Sequence, residues 1–438
     1  MTAAVENQLR PPTTKTHAQI RLVCSLVLFA VGCFAWMFKM KRSSALDDYL
    51  LPYSPLQVLY PALGGLALFW ILRTSGARFP KIMVRSPSTL LLLLGTLSIM
   101  LGAAVHIHPG QYLKDALLYE VRWLLPFCFL AFLFLARKFG TPYRPIVWGL
   151  CAGAGASAVA TELFRHGLPL PICASGQRYG GFLSHPNQYG ILISSTAPML
   201  AILVFSRSRL RLLIGLAMIG VYGLCLFQSL SKTNIVLVVI SGLGAAFLVS
   251  LPNLALAARR LFLTLAMLVV LAVAGFFGVQ VLEEISPREA KTIENAVLDP
   301  GGTKSLDDRE NVCDEAVAAI RRFPLTGVGP GRSEFYLTYT HAHNLFLQHW
   351  IDAGLAGFIG ICLVTVAVFW RAFELLGRAL RARGPLSEDA SIRVLAGLAL
   401  VMSICANSMS ASLTTAVMTA FVVFIGIAFV RESDPALP

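Results

Sequence analysis

Charged side chains are scarce in this chain. They make up 13% of its 438 residues, about half the ~25% of soluble domains. With 56% of residues hydrophobic, a water-soluble fold of this length would leave much apolar surface exposed. The apolar runs lack the residue-by-residue alternation of a membrane β-barrel. Many are long enough to cross a bilayer as helices, which takes about 20 residues each. No cleaved leader is expected, because Ile20 to Phe38 is too long for a signal-peptide core and no cleavage site follows it. No Gly-Lys-Ser/Thr follows Gly327–Gly331, which excludes a P-loop. There is no Asp-x-Asp motif of the metal–nucleotide kind, no internal repeat and no low-complexity segment.

What is present is an all-α pattern of about twelve transmembrane helices. The apolar runs fall near residues 20–38, 56–72, 88–105, 118–136, 145–162, 189–205, 211–228, 233–251, 261–282, 344–370, 392–409 and 413–430. The net charge of +13 fits the excess of Lys and Arg in cytoplasmic loops better than nucleic-acid binding. With the N-terminus inside, the short inner loops hold 21 of the 36 basic residues, and both termini lie inside. The expected organisation is therefore helices one to nine over residues 1–282, an outer loop domain over 283–342, and helices ten to twelve over 343–438.

That outer loop holds 18 of the chain's 59 charged residues between Glu283 and Thr340. Ser305–Asp308 reads as a helix start, and Val312, Ala316, Ile320 and Phe323 fall on one helical face. Pro324 and Gly327–Gly331 end the helix. Arg309 points with the apolar face, either as an interfacial snorkelling side chain or as an anion ligand. Two of the nine cysteines, Cys173 and Cys313, lie in outer loops where a disulfide is allowed.

Three outer segments carry candidate chemistry. The first runs from Arg178 through Gly180, Gly181, His185, Pro186 and Asn187, a glycine-rich turn entering an apolar span. The second is Gln228-Ser-Leu-Ser-Lys232-Thr-Asn234, which puts a lysine among hydroxyls and amides. The third is His341-Ala-His343-Asn344, followed by Gln348 and Asp352 at four-residue spacing, a polar stripe on one helical face. Polar groups at membrane depth face the bundle or a watery cavity. A neutral histidine at the cavity mouth is a candidate base. His341, His343, His349 and Asp352 are all possible metal ligands, but His341 and His343 precede the helix and His349 projects off the polar stripe. Cations without a metal suit a diphosphate leaving group.

In this order the segments resemble the O-antigen ligase/polymerase superfamily of bacterial envelope glycosyltransferases. The resemblance rests on Arg178-Tyr-Gly-Gly…Pro186-Asn187, then Ser229-Leu-Ser231-Lys232. It continues with Arg309…Pro324-Leu-Thr-Gly327-Val-Gly329 and His341-Ala-His343-Asn344…Gln348, followed by Gly354-Leu-Ala-Gly357. It implies an enzyme of the bacterial inner membrane with its site facing the periplasm. The donor is a glycan on undecaprenyl diphosphate; for a ligase the acceptor is a lipid A–core sugar, for a polymerase another lipid-linked repeat, and for a protein transferase a Ser or Thr. One outer loop of this size and a short C-terminus favour the ligase. The implied roles are His343 as base with His341 as fallback, Asn344 orienting the site, and Arg178, Lys232, Arg309, Asn187 and Gln348 binding substrate. Lys232 stands where the pattern usually has arginine, so it loses the bidentate fork toward phosphate. No cofactor, metal or nucleic acid is expected. Membrane lipids are the remaining partners, and a lipid-linked glycan transporter is the rival from another class.

Overall fold

The computed structural model describes residues 14–37, 40–41, 49–51, 55–75, 86–107, 113–175, 178–183, 185–229, 231–250, 262, 303–338, 341–382, 386–410 and 417–430. Within them the regular secondary structure is helical apart from two minimal hairpins. The helices are α1 (Thr14–Phe34), α2 (Pro55–Ser75), α3 (Pro87–Ala104), α4 (Leu113–Lys138), α5 (Arg144–Arg165), α6 (Pro186–Thr196), α7 (Arg209–Ser229), α8 (Lys232–Ser250), α9 (Thr303–Arg322), α10 (Leu345–Arg381), α11 (Glu388–Ser410) and α12 (Val417–Phe429). A 3-10 turn, Ala197–Leu200, and a last helical turn, Ala201–Val204, continue α6. Strands β1 (Met40–Lys41) and β2 (Tyr49–Leu51) pair antiparallel, as do β3 (Ala174–Ser175) and β4 (Arg178–Tyr179).

Among the described residues nine helices are long and apolar enough to cross a membrane, and two shorter apolar helices accompany them. The protein is a multi-pass, all-α membrane protein. Eleven of the twelve expected spans coincide with these helices; the one at 261–282, residue 262 apart, and the loop up to residue 302 lie outside the described residues. Several helices open with a proline in the first turn, as α3, α5 and α6 do. That position needs no N–H donor, and the ring's fixed φ suits a helix start.

Packing density separates the helices. Of the α6 span 83% is buried, against 17% for α7, so α6 is central and α7 faces outward. The core includes Trp36, whose ring meets Tyr189 of α6 and Tyr222 of α7 edge-on. The largest interface joins α3 to α10, where glycines let backbones touch. A Cβ on Gly95 would lie 2.7 Å from the Gly360 carbonyl oxygen, and one on Gly360 2.6 Å from that of Gly95. Small residues of this kind are how helices associate without a hydrophobic driving force.

One end of the bundle is closed by ion pairs. Arg137 Nη1 lies 2.6 Å from Asp389 Oδ2, and Asp389 Oδ1 accepts from the Tyr143 N–H at 3.0 Å. Two buried arginines close the C-terminus of α12. Arg371 Nε donates to the Ala428 carbonyl and Arg393 Nη2 to that of Val430, both at 2.7 Å. Cations suit the carbonyls that a helix end leaves unpaired. The candidate chemistry lies at the other end.

The structure differs from the sequence expectations in three places and decides a fourth that the sequence left open. The helix α9 starts at Thr303 and ends at Arg322, so Phe323 falls beyond it and is 38% exposed rather than packed with Val312, Ala316 and Ile320. Helix α10 runs to Arg381 and is broken inside, at Ala353 and Gly354. Asn344 caps that helix instead of heading a stripe within it. Cys173 and Cys313 are not bridged.

Candidate active site

The hairpin β3–β4 pairs Ser175 with Arg178, fixing the start of the arginine side chain. Its guanidinium is then held twice: Nε donates to the Ser229 carbonyl at 2.9 Å, and Nη2 to Asn187 Oδ1 at 2.5 Å. Asn187 thus orients Arg178. The first contact also ties the hairpin to the end of α7, next to the Ser231–Lys232 turn. That turn is packed on α6. Asn234 Nδ2 donates to Ser231 Oγ at 2.7 Å, Ser194 Oγ donates to Asn234 Oδ1 at 3.1 Å, and Gly190 leaves the room they need.

His185 caps α6. Its backbone is extended, and Nδ1 accepts the Asn187 N–H at 3.1 Å. Accepting there fixes the neutral tautomer with its proton on Nε2. Crowding by neighbours, then the positive charge of Arg178, His343 and His341, pushes its pKa from 6.5 to about 4; solvent on the exposed side of the ring works against that shift. The same interactions place the Arg178–Asn187 turn and the histidine turn within electrostatic reach of each other. Between pH 6.5 and 4 the unfolded chain binds a proton that the folded chain does not, so His185 contributes stability above pH 6.5 that is lost as pH falls toward 4. His185→Asn keeps a capping oxygen without a titrating ring. Its melting temperature is expected to fall less between pH 7 and pH 4 than that of the unsubstituted protein; equal falls would remove His185 as the cause.

The histidine turn is built with unusual backbone geometry. His343 has φ 50°, the one positive φ at a non-glycine residue among those described. Such conformations cost of order 1–3 kcal/mol and persist where the surroundings over-determine them. Here Asn344 Oδ1 accepts the N–H groups of Phe346 and Leu347 at 3.0 and 3.1 Å. The cap occupies that oxygen and leaves the amide nitrogen of Asn344 for other work. On the other side, the Ala342 N–H donates to Gln348 Oε1 at 2.8 Å. Gln348 Nε2 donates to Asp352 Oδ1 at 2.9 Å. Gln348 and Asp352 are 2% and 3% exposed, so the polar stripe faces the bundle. His349 turns away from them: it is fully buried, with Nδ1 2.6 Å from the Tyr119 hydroxyl and its ring edge-on to Trp123. Among the described residues no three His, Cys, Asp or Glu side chains come together as a metal site.

The segment Pro324–Gly331 joins α9 to this turn by docking on the break in α10. Leu355 N donates to the Pro324 carbonyl at 3.1 Å, Val328 N to Ile351 O at 2.7 Å, and Trp350 Nε1 to Pro324 O at 2.9 Å. Gly354, at φ 64°, and Gly327, at φ 70°, allow this approach: a Cβ on Gly327 would lie 2.6 Å from Gly354 N. Non-helical backbone inside a membrane domain is tolerated where protein satisfies it. Two motifs far apart in sequence, Pro-x-x-Gly-x-Gly and Gly-Leu-x-Gly, are therefore one junction. The α9 helix is held to the same region by Glu315. Its carboxylate accepts Thr338 Oγ1 at 2.5 Å and Thr338 N at 2.6 Å, and these bonds hold its pKa below the ordinary value.

Residues 189–362 match the family model described as O-Antigen ligase. This stretch belongs to the O-antigen ligase superfamily. The match spans most of α6, the Ser231–Lys232 turn, α9, the docking segment, the histidine turn and the break at Gly354. Arg178, His185 and Asn187 lie just before it. Members of the family are membrane glycosyltransferase-like enzymes of lipopolysaccharide synthesis. No curated protein matches the chain.

The structure thus brings Arg178, Asn187, His185, His341 and His343 to one end of the bundle. Gln348 faces inward beneath the turn. Lys232 is the first residue of α8 and Arg309 falls in the second turn of α9; their side chains lie outside the described residues. Sequence reasoning passed over Arg122 of α4, which sits within electrostatic reach of Asp352 and Asp115. It also passed over Tyr119, the partner of His349. A charged residue inside an apolar span was the available signal for Arg122; nothing local marked Tyr119.

Proposed function

We propose that the protein is an O-antigen ligase working on the periplasmic face of the bacterial inner membrane. It transfers a glycan from undecaprenyl diphosphate to a sugar hydroxyl of lipid A–core. The observation that carries this reading is the approach of the Arg178–Asn187 turn to the His341–Asn344 turn, at the end of the bundle opposite the arginine-rich ion pairs.

His343 accepts the proton of the acceptor hydroxyl, with His341 as the alternative base. The hydroxyl oxygen bonds to the anomeric carbon as the bond from that carbon to the diphosphate breaks, which inverts the centre. Undecaprenyl diphosphate leaves as an anion. Arg178 and Arg309, with Lys232 as a third cation, stabilise the charge that develops on it. Asn187 and Gln348 act here through the groups they hold, the first through Arg178 and the second through the histidine turn. The Asn344 amide nitrogen orients the substrate.

The deciding experiment is a gel of envelope lipopolysaccharide from a host with the gene deleted, with and without a wild-type copy. Bare lipid A–core after deletion, and a full ladder after complementation, support the ligase. Core carrying a single repeat points to a polymerase. An untouched ladder removes both, and a purified protein that makes no new glycosidic bond would leave the transporter. The proposed chemistry needs no metal, so transfer by purified protein in excess EDTA is expected to match the untreated rate. Loss of activity that added divalent cation restores would overturn that.

A further inference from the structure

The buried pair Gln348–Asp352 is too polar to be ordinary core and has no place in the bond-making steps. Both side chains are almost wholly buried, and Gln348 joins the histidine turn to the break in α10. Oε1 takes the N–H of Ala342, the residue directly before His343, at 2.8 Å. Nε2 reaches Asp352 Oδ1 at 2.9 Å and, at 3.5 Å, Ser333 Oγ in the short 3-10 turn Ser333–Phe335 that follows the docking segment. Asp352 is the last residue before the α10 break at Ala353–Gly354. His343 is therefore pinned on both sides. The residue before it is held through its N–H by Gln348, and the residue after it, Asn344, is held as the helix cap. A histidine at φ 50° needs such restraint to stay there.

We infer that Gln348 and Asp352 are positioning residues: through the Ala342 N–H they hold His343 in its left-handed conformation and so set where its imidazole presents. This rests on the reading of the histidine turn as the reacting edge. The chemistry of the pair fits the task. A glutamine is both donor and acceptor, so one side chain joins the turn to the carboxylate. Burial keeps water from replacing either bond.

Two readouts test it, one of them independent of activity. In Gln348→Leu, amide hydrogen exchange of the turn 341–347 is expected to speed up by about tenfold or more, since the Ala342 N–H loses its acceptor. In the transfer assay kcat should fall by about tenfold or more, because displacement of a catalytic group by an ångström or less acts on the chemical step. KM for donor and acceptor should stay within about twofold, since a positioning residue touches neither. Asp352→Leu should do the same, and Asp352→Asn, which keeps an oxygen for Gln348 Nε2–H, should recover most of the lost kcat. The Asp352 pair gives the comparison without altering Gln348 if Gln348→Leu does not fold. Unchanged exchange at the turn, or a rise in KM with kcat intact, would overturn the inference. So would Asp352→Asn failing as badly as Asp352→Leu, which would make the charge and not the hydrogen bond the working feature. If the unsubstituted protein makes no glycosidic bond at all, the proposed function fails, while the exchange comparison still reads the restraint on the turn.

Discussion

Replacing His343 by alanine is expected to lower glycan transfer by about 10²–10⁴-fold, the usual contribution of a positioned general base. Donor binding should change little, because the cations proposed to hold the diphosphate are on other segments. The sites flanking His343 should survive: the Asn344 cap uses its own oxygen, and the Ala342 anchor is a backbone N–H. Alanine also adopts φ 50° only at a cost, so His343→Asn, which tolerates that conformation better, is the control for backbone strain. Steady-state transfer rates against circular dichroism of the same preparations separate chemistry from folding. Near-normal transfer in His343→Ala together with an inactive His341→Ala would move the base to His341.

The second large effect is expected at Gly354, a residue with no chemistry of its own. Its φ of 64° and ψ of −158° lie where side chains are essentially not found, at a cost of about 1–3 kcal/mol. A Cβ there would also run into the Leu325 carbonyl and come within 2.6 Å of the Thr326 carbonyl carbon. These are backbone atoms, so the whole Pro324–Gly331 segment would have to lift from the break in α10. That segment contains the acceptors of Leu355 N and Trp350 Nε1 and precedes the histidine turn in the chain. Gly354→Ala should therefore lose transfer by about 10²-fold, as a misplacement of about 1 Å does, and melt at a lower temperature. By contrast Gly155→Ala, at a position with nothing near an added Cβ, should leave both unchanged. If Gly354→Ala melted and transferred like the unsubstituted protein, the docking of the segment would not be what places the turn.

Much of this architecture is written in one dimension. Apolar runs of bilayer length, separated by short basic loops, determine a multi-pass helical membrane protein, because lipid leaves the backbone no partner outside its own helix. The spacing of Val312, Ala316 and Ile320 determines that α9 is amphipathic, and all three are buried. Arg178, Asn187, His341, His343 and Asn344 stand out locally as polar groups at the edges of apolar spans. The order of those segments was enough to suggest the superfamily to which residues 189–362 belong.

What periodicity could not supply was direction and company. A repeat of four from Asn344 through Gln348 to Asp352 looks like one continuous stripe, but the helix begins after Asn344, and only the folded turn shows its oxygen spent on the cap. Phe323 fits the α9 pattern numerically, yet Pro324 follows and the helix stops one residue short of it. The glycines at 327 and 354 are separated by 26 residues and carry no signal of one another. Their meeting depends on where α9, the docking segment and the broken α10 pack, which is a long-range outcome. Helix starts, spans and candidate groups follow from local rules of hydrogen bonding and hydrophobicity. The left-handed His343, the Gln348–Asp352 anchor beneath it and the seam at Gly354 exist because tertiary packing over-determines backbone conformations that local preference alone would not choose.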